Sequence, residues 1–356
     1  MRAYFYHTQD LATVYEQWRE HRFPGHLLYG ATNLERHGID VVMHLYKPDY
    51  TKRLRLTWLT AWRILTCKQS YDVLYGTSFR GLELIIFLRA LHLYRKPVVI
   101  WHHQPVTKSG NKLREMFARL FYRGIDHAFF FSDKLIEESL KSSKANADRM
   151  QAVHWGADLD FYDRVMKEAG TADKRSGFIS TGKERRDMPT LVTAFGRTNE
   201  QLDIYVAHSA CNDDYDKIFG GLAVRPNIKV HFLNGLIPHE LAKKVCRAQC
   251  VVICCKETNY TVGLTTLVEA FAFGIPVICS RNVTFAMDID KCGVGITVPY
   301  YDTDGWERAI TYIANHPKEA AEMGRRGHEL AEKLFNLENC TREVAEKLKE
   351  ICNTHR

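Results

Sequence analysis

The chain has no run of about 20 apolar residues, the length a helix needs to cross a bilayer. Its longest apolar stretch, Leu82 to Leu93, is broken by Glu83 and Arg89. The opening residues Met1-Arg2-Ala3-Tyr4-Phe5-Tyr6-His7 lack the hydrophobic segment of a secretory signal and read as a first strand. Low-complexity tracts, long linkers and internal repeats are missing, which argues against disordered tails. No CxxC pair occurs among the 10 cysteines, and several lie inside apolar runs such as Val251-Val252-Ile253-Cys254-Cys255 and Val277-Ile278-Cys279. They read as buried thiols in a reducing compartment, neither disulfides nor zinc ligands. The sequons at Asn259, Asn282 and Asn339 are then chance matches. The corresponding expectation is a cytoplasmic protein, at most peripheral on the inner face of the membrane.

Acidic residues are scarce in one region. Between Lys47 and Arg123 stand 15 basic and 4 acidic residues, a balance of +11 against a whole-chain charge of +7, while residues 171–356 are balanced. A basic face on one domain points to an anionic partner such as lipid headgroups, nucleic acid or a phosphorylated acceptor.

What is present is 46% hydrophobic and 26% charged residues over 356 positions, enough for two α/β domains. Short apolar runs alternate with helical patterns throughout. Asp40–Leu45, Asp72–Tyr75, Pro97–Trp101 and His127–Phe131 are candidate strands of the first half. Gly177–Ser180, Leu202–Val206, Ile228–Phe232, Val251–Cys254 and Pro276–Cys279 continue the rhythm in the second. The pattern predicts parallel sheets wrapped by helices, hence two doubly wound domains with a cleft between them. The small, polar stretch Lys167–Lys174 marks the expected boundary, giving domains 1–168 and 169–336, with a helix over 337–356 packing back toward the first.

The most informative segment runs from Thr261 to Ile278: a Gly turn at Gly263, a helix beginning near Leu264, a stop at Gly274 and a Pro-led strand. Free amides at such a helix start form an anion site, and Glu269 lies little more than one turn in, able to accept hydrogen bonds from sugar hydroxyls. Equally, the segment fits a helix packed on a sheet with a solvated Glu269. A second segment, Ser180-Thr181-Gly182-Lys183-Glu184-Arg185-Arg186-Asp187, is a charged loop after a strand. In a third, Trp101-His102-His103-Gln104-Pro105, a buried strand ends in polar residues.

The Thr261–Ile278 segment resembles the signature of family-4 retaining glycosyltransferases. Asp72–Tyr75, Pro97–His102, Gly156-Ala157-Asp158 and Cys292–Pro299 match further landmarks in order along nearly the whole chain. The resemblance implies the GT-B fold, two facing Rossmann-like domains, and transfer of a sugar from a UDP- or GDP-sugar without metal or other cofactor. It implies that Glu269 binds the donor ribose and that amides at Gly263, Leu264 and Thr265 approach the phosphates. In the loop after Gly182, Lys183 and Arg186 would clamp the diphosphate, and His102 would touch the donor sugar and the reaction centre. One position departs: the family carries a second carboxylate eight residues before the Glu, where this chain has Thr261, and Glu257 is too far upstream to replace it. That substitution puts the usual donor-sugar preference in doubt. Asp158-Leu159-Asp160 and Asp288-Ile289-Asp290 resemble metal-holding pairs of other glycosyltransferases, yet their context reads as structural.

Two basic amphipathic segments complete the picture. In Lys52–Lys68, Leu54, Trp58, Ala61, Trp62 and Leu65 share a helical face, with Arg63 opposite. In Lys112–Arg123, Leu113, Met116, Phe117, Leu120 and Phe121 form a stripe flanked by Lys112, Arg119 and Arg123. The ordinary expectation is that these stripes pack on the sheet, which leaves the +11 unexplained; an anionic membrane surface accounts for it. The partners expected are therefore a nucleotide-sugar donor, a lipid or glycan acceptor and an anionic membrane, with no nucleic acid. An epimerase or phosphorylase on the same scaffold and a catalytically silent sugar-nucleotide-binding protein are the alternatives.

Overall fold

The computed structural model describes residues 1–47, 52–170, 175–210, 213–235 and 237–354. The chain divides into two compact units, Met1–Trp155 with Leu337–Arg356, and Gly156–Asn336.

Unit 1 is one six-stranded parallel sheet with helices. Its strands are β1 (Arg2–Tyr6), β2 (Asp40–Met43), β3 (Val73–Gly76), β4 (Val98–Trp101), β5 (His127–Phe130) and β6 (Met150–Ala152), in the order β2-β1-β3-β4-β5-β6. Its helices are α1 (Leu11–Arg19), α2 (Arg53–Leu65), α3 (Glu83–Ala90), α4 (Lys112–Arg123) and α5 (Asp133–Leu140). The central strands β3, β4 and β5 are buried along their whole length, which is why they read as unbroken apolar or aromatic runs. Strand β6, Met-Gln-Ala, is a half-buried edge without such a run, so its sequence gives no strand signal.

Unit 2 begins with α6 (Leu159–Ala169) and continues β7 (Phe178–Ser180), α7 (Met188–Gly196), β8 (Leu202–Val206), a two-stranded hairpin β9 (Ser209–Ala210) and β10 (Asp213–Asp214), and α8 (Tyr215–Gly220). Then follow β11 (Ile228–Phe232), α9 (Pro238–Val245), β12 (Cys250–Ile253), α10 (Leu264–Ala272), β13 (Val277–Ser280), α11 (Ile289–Cys292), β14 (Gly295–Val298), α12 (Thr303–Asn315) and α13 (Pro317–Lys333). The sheet order β11-β8-β7-β12-β13-β14 is fully parallel. Its direction reverses between β7 and β12, and ligands of such sheets bind beyond the strand ends at that reversal.

The last helix, α14 (Leu337–Thr354), belongs to unit 1. Leu337, Cys340, Thr341, Val344, Leu348 and Ile351 are buried at helical spacing. Thr341 fits against Gly30, whose φ of +80° and a Cβ only 3.0 Å from Thr341 Oγ1 leave no room for a side chain. Glu338 and Glu343 reach His37 (3.1 Å) and His154 (2.7 Å).

The division after Trp155 differs from the boundary expected at residue 168. Helix α6 packs on α9 and α10 and so belongs to unit 2. The polar stretch near 170 marks only the end of α6, closed by Gly170 in the left-handed region; positions 171–174 of that stretch lie outside the described residues. At Gly156 a Cβ would overlap the Phe335 backbone, and Ala157 N–H donates to Phe335 O (3.0 Å), so entering and leaving strands lie side by side.

Helices α2 and α4 correct the expectation that their apolar stripes pack on the sheet. In α2 the buried positions are Leu56, Thr60, Ala61 and Ile64, so Ala61 parts from its supposed neighbours; Trp58 and Trp62 are each 64% exposed, and Leu54 and Leu65 also face out. In α4 the one buried residue is Glu115, while Leu113, Met116 and Phe117 are exposed. Both helices pack on α3. Among the described residues no helix is long and apolar enough to cross a membrane.

Candidate active site

At the reversal point of unit 2, the loop after β7 turns at Gly182, with φ +98° and a Cβ position 2.2 Å from Arg186 Nη2. Any side chain there would displace the guanidinium. Arg185 takes a left-handed φ of 53°, unusual without glycine, and the turn swings Arg186 inward. The loop is then tied to the end of β12: Lys256 N–H donates to Arg185 O (2.8 Å) and Asp187 N–H to Cys254 O (3.0 Å). Asp187 caps α7 through Thr190 N–H at 3.3 Å.

Arg186 is 3% exposed. Its Nε donates to Thr181 O (3.0 Å), Nη1 to Glu184 O (3.1 Å) and Cys255 Sγ (3.2 Å), and Nη2 to Thr266 Oγ1 (3.2 Å). Four of the five N–H donors of a guanidinium are thus spent on neutral acceptors, and no carboxylate pairs with the charge among the described residues. A buried cation without a paired carboxylate is costly unless an anion joins it.

The second wall is the start of α10. Gly263 sits at φ +89° with a Cβ position 2.5 Å from Ile253 Cγ2 and 3.9 Å from Arg186 Nη1. Glycine lets the turn close over β12 and brings the helix start onto the guanidinium. Leu264 N–H is taken by Thr261 O (3.2 Å) and Leu267 N–H by Gly263 O (3.0 Å), and no side chain caps this end. The amides of the exposed Thr265 and buried Thr266 are the first-turn donors left over. Uncapped amides, the helix dipole and Arg186 make one positive locus fit for a diphosphate.

Glu269 lies further along α10, partly accessible, its carboxylate without a hydrogen-bond partner among the described residues. Its apolar surroundings desolvate the carboxylate and push its pKa up to about 8. Thr261 is buried, and beside it Tyr260 O–H donates to Glu184 Oε1 (2.7 Å), fixing a carboxylate on the loop that also carries Arg186.

The expected residues therefore fall into three groups. Gly182, Arg186, Thr261, Gly263, Leu264, Thr265 and Glu269 share the reversal point and the helix it faces, all in unit 2. Lys183 stands on the same loop with its side chain in solvent; its carbonyl accepts from Tyr215 O–H (3.0 Å). His102 closes β4 in unit 1. Its Nδ1 meets Gln104 O (2.5 Å), which can only accept, so Nδ1 carries the proton and Nε2 accepts from Tyr122 O–H (2.8 Å). Burial lowers its pKa to about 4, leaving the ring neutral at pH 7.

Sequence reasoning misses Thr266, Cys255 and Tyr215, whose O–H accepts from Arg186 N–H at 3.2 Å. They look like ordinary core residues, and only the inward turn of Arg186 gives them a role. The Asp-x-Asp pairs are accounted for locally: Asp158 and Asp288 cap α6 and α11, and Asp290 accepts from Thr297 N–H (2.9 Å).

Comparison with known proteins bears on the fold. Residues 221–330 match the family model described as Glycosyl transferases group 1. Sucrose-phosphate synthase from Thermosynechococcus elongatus is 16% identical, covering 99% of both chains at a TM-score of 0.75. Anabaena HepE, solved in complex with UDP and glucose, is 16% identical over 98% of this chain and 100% of its own, TM-score 0.70. WaaG, a glycosyltransferase involved in lipopolysaccharide biosynthesis, is 13% identical over 97% and 99%, TM-score 0.63. No curated protein matches the sequence. At these identities the likeness establishes the GT-B fold.

Proposed function

We propose that this chain, a glycosyltransferase of the GT-B fold with a glycosyl transferases group 1 region at residues 221–330, moves a sugar with retention from a nucleoside-diphosphate sugar to a hydroxyl of a lipid or lipid-linked glycan at a membrane surface. The observation that carries the donor assignment is Arg186, buried without a carboxylate partner among the described residues and beside the uncapped start of α10. As the bond from the sugar C1 to the β-phosphate oxygen breaks, negative charge grows on the leaving diphosphate. Fixed donors stabilise it without reorganisation. Lys183 adds a mobile cation from solvent. The acceptor oxygen bonds to C1 on the same face, and its proton passes to the departing phosphate oxygen. Glu269 takes the ribose hydroxyls. To His102, neutral, we give the role at the reaction centre that the family resemblance implies, exchanging its Tyr122 bond for one to substrate.

The membrane part of the proposal rests on α2 and α4. Tryptophans, leucines and Phe117 stand in solvent among Arg55, Arg63, Lys112, Arg119 and Arg123, the composition of helices that lie in the headgroup layer. A screen of UDP- and GDP-sugars for protection against heat tests the donor assignment. UDP-glucose, the ligand of one HepE structure, is the first to try. Protection by at least one sugar nucleotide, lost in Arg186→Gln, is expected; protection by none would refute the reading.

A further inference from the structure

Unit 1 contains a cavity of about 1220 Å³ beyond the ends of β3 and β4, bounded by α3 and α4. Pockets for drug-sized ligands span about 300–1,000 Å³, so this one is far too large for a lone ion. Among the described residues its walls carry Arg53, Arg80, Lys108, Arg114 and Lys144 against one carboxylate, Glu83. Arg53 and Lys144 hold carboxylates. Arg53 Nη2 pairs with Glu83 Oε1 at 2.9 Å, and Lys144 holds Glu115 (2.9 Å) and Thr107 O (2.5 Å). With Ser109 N–H on Glu115 Oε2 (2.7 Å), the second set fastens the loop before α4. That loop presents Lys108, and the first turn of α4 presents Arg114; both are exposed and neither has an acceptor among the described residues.

Besides polar and small residues, the lining carries an aromatic group, Phe79, Phe87, Phe121 and Tyr122, together with His102. Phe117 stands at the rim, 53% exposed, and the same face of α4 continues outward through Met116 and Leu113. One ligand satisfies a cationic wall, an aromatic interior and an apolar track leading out from the rim. It is an amphiphile with its negative charge between chain and head.

We infer that this cavity is the acceptor site and that the acceptor is an anionic amphiphile, its phosphate-like group held by Lys108 and Arg114 and its chain laid along Phe117, Met116 and Leu113. The inference rests on the transferase reading above. It goes further by naming the acceptor's charge and the residues that select it. Lys112, Arg119 and Arg123, outside this cavity, serve the bulk membrane instead.

Calorimetric titration of the full chain below the micelle concentration tests it, with dodecyl phosphate, dodecyl maltoside and inorganic phosphate as probes. Dodecyl phosphate should bind at least about tenfold tighter than either of the others, since a charge-assisted pair and chain burial each contribute about that much. Lys108→Gln with Arg114→Gln should remove the preference over the maltoside, and Phe117→Ser the preference over inorganic phosphate. Both variants change exposed side chains, and heat protection by the sugar nucleotide should persist in each. Gln at Lys112, Arg119 and Arg123 should lower vesicle binding while leaving dodecyl phosphate affinity alone. Equal affinity for phosphate and maltoside detergents, equal affinity for inorganic phosphate, or indifference to the Lys108/Arg114 variant would overturn the inference. If no sugar nucleotide protects while dodecyl phosphate binds as described, the transferase reading fails and the anionic site stands.

Discussion

Arg186 and Lys183 sit three positions apart on one loop and differ in what a substitution removes. Lys183 projects into solvent, so Lys183→Ala takes away one charge-assisted contact to the diphosphate, about 1.5–3 kcal/mol, and leaves thermal stability unchanged. Arg186 also joins the loop to the end of β12 and to α10 through Cys255 Sγ and Thr266 Oγ1, and braces the loop itself through Thr181 O and Glu184 O. Arg186→Gln should weaken nucleoside diphosphate to a similar degree and lower the melting temperature of the free protein as well. Titration with nucleoside and nucleoside diphosphate checks this: nucleoside affinity should stay constant in both variants, and parallel losses would refute the clamp. Glu269 supplies a pH test. Its folded pKa of about 8 lies above the unfolded carboxyl value, so the folded state holds the extra proton between about 4.5 and 8. Its contribution is harmless below the unfolded pKa and increasingly destabilising as pH rises through the folded one. Glu269→Gln should therefore raise the melting temperature at pH 8.5 and change it little at pH 5. Equal shifts at both pH values would contradict a desolvated carboxylate. Thr261 remains the departure from the family pattern, and its chain neighbour Tyr260 holds Glu184 through its hydroxyl. Thr261→Glu should alter discrimination among donor sugars more than affinity for free nucleoside diphosphate, measured by competition.

Elements α2 and α4 carry the membrane proposal, and each can be tested by liposome sedimentation. Replacing Lys112, Arg119 and Arg123 with Gln should weaken association with anionic liposomes by roughly two orders of magnitude, at about 1 kcal/mol per basic residue. High salt should do the same, and Trp58→Ser with Trp62→Ser should weaken what salt leaves. Equal binding to neutral liposomes, or none to either, would refute the surface. These helices also mark the limit of what the sequence says. Their periodicity shows two faces but not which one meets the protein. In α4 the buried position is Glu115, bonded to Lys144, a partner 29 residues away that no pattern along the helix reveals, while Phe121 packs on Phe87. The buried strands were legible because both faces are covered and their residues are apolar without alternation. Strand β6 was not, being a polar edge. The Gly263 turn and the α10 start were legible from spacing; the inward turn of Arg186 depends on the left-handed Arg185 and on acceptors scattered from Thr181 to Thr266.

At the scale of the whole molecule, the two units differ in how the chain builds them. Unit 2 is continuous from Gly156 to Asn336, while unit 1 is completed by α14 from the far end of the sequence. Removing residues 337–356 should expose the surface that Leu337, Val344 and Leu348 cover and break the His37 and His154 contacts, so unit 1 should lose its cooperative melting transition. Sugar-nucleotide protection of unit 2 should survive; its loss would mean that the donor site needs more than Gly156–Asn336. The direct measurement incubates the protein with the protecting sugar nucleotide and anionic membrane lipid, and follows free nucleoside diphosphate and glycosylated lipid together. The predicted result is one diphosphate released per sugar moved, an anomeric configuration in the product equal to that of the donor, and loss of both in Arg186→Gln. Release without a glycosylated product, an inverted anomer, or undiminished transfer in Arg186→Gln would contradict it.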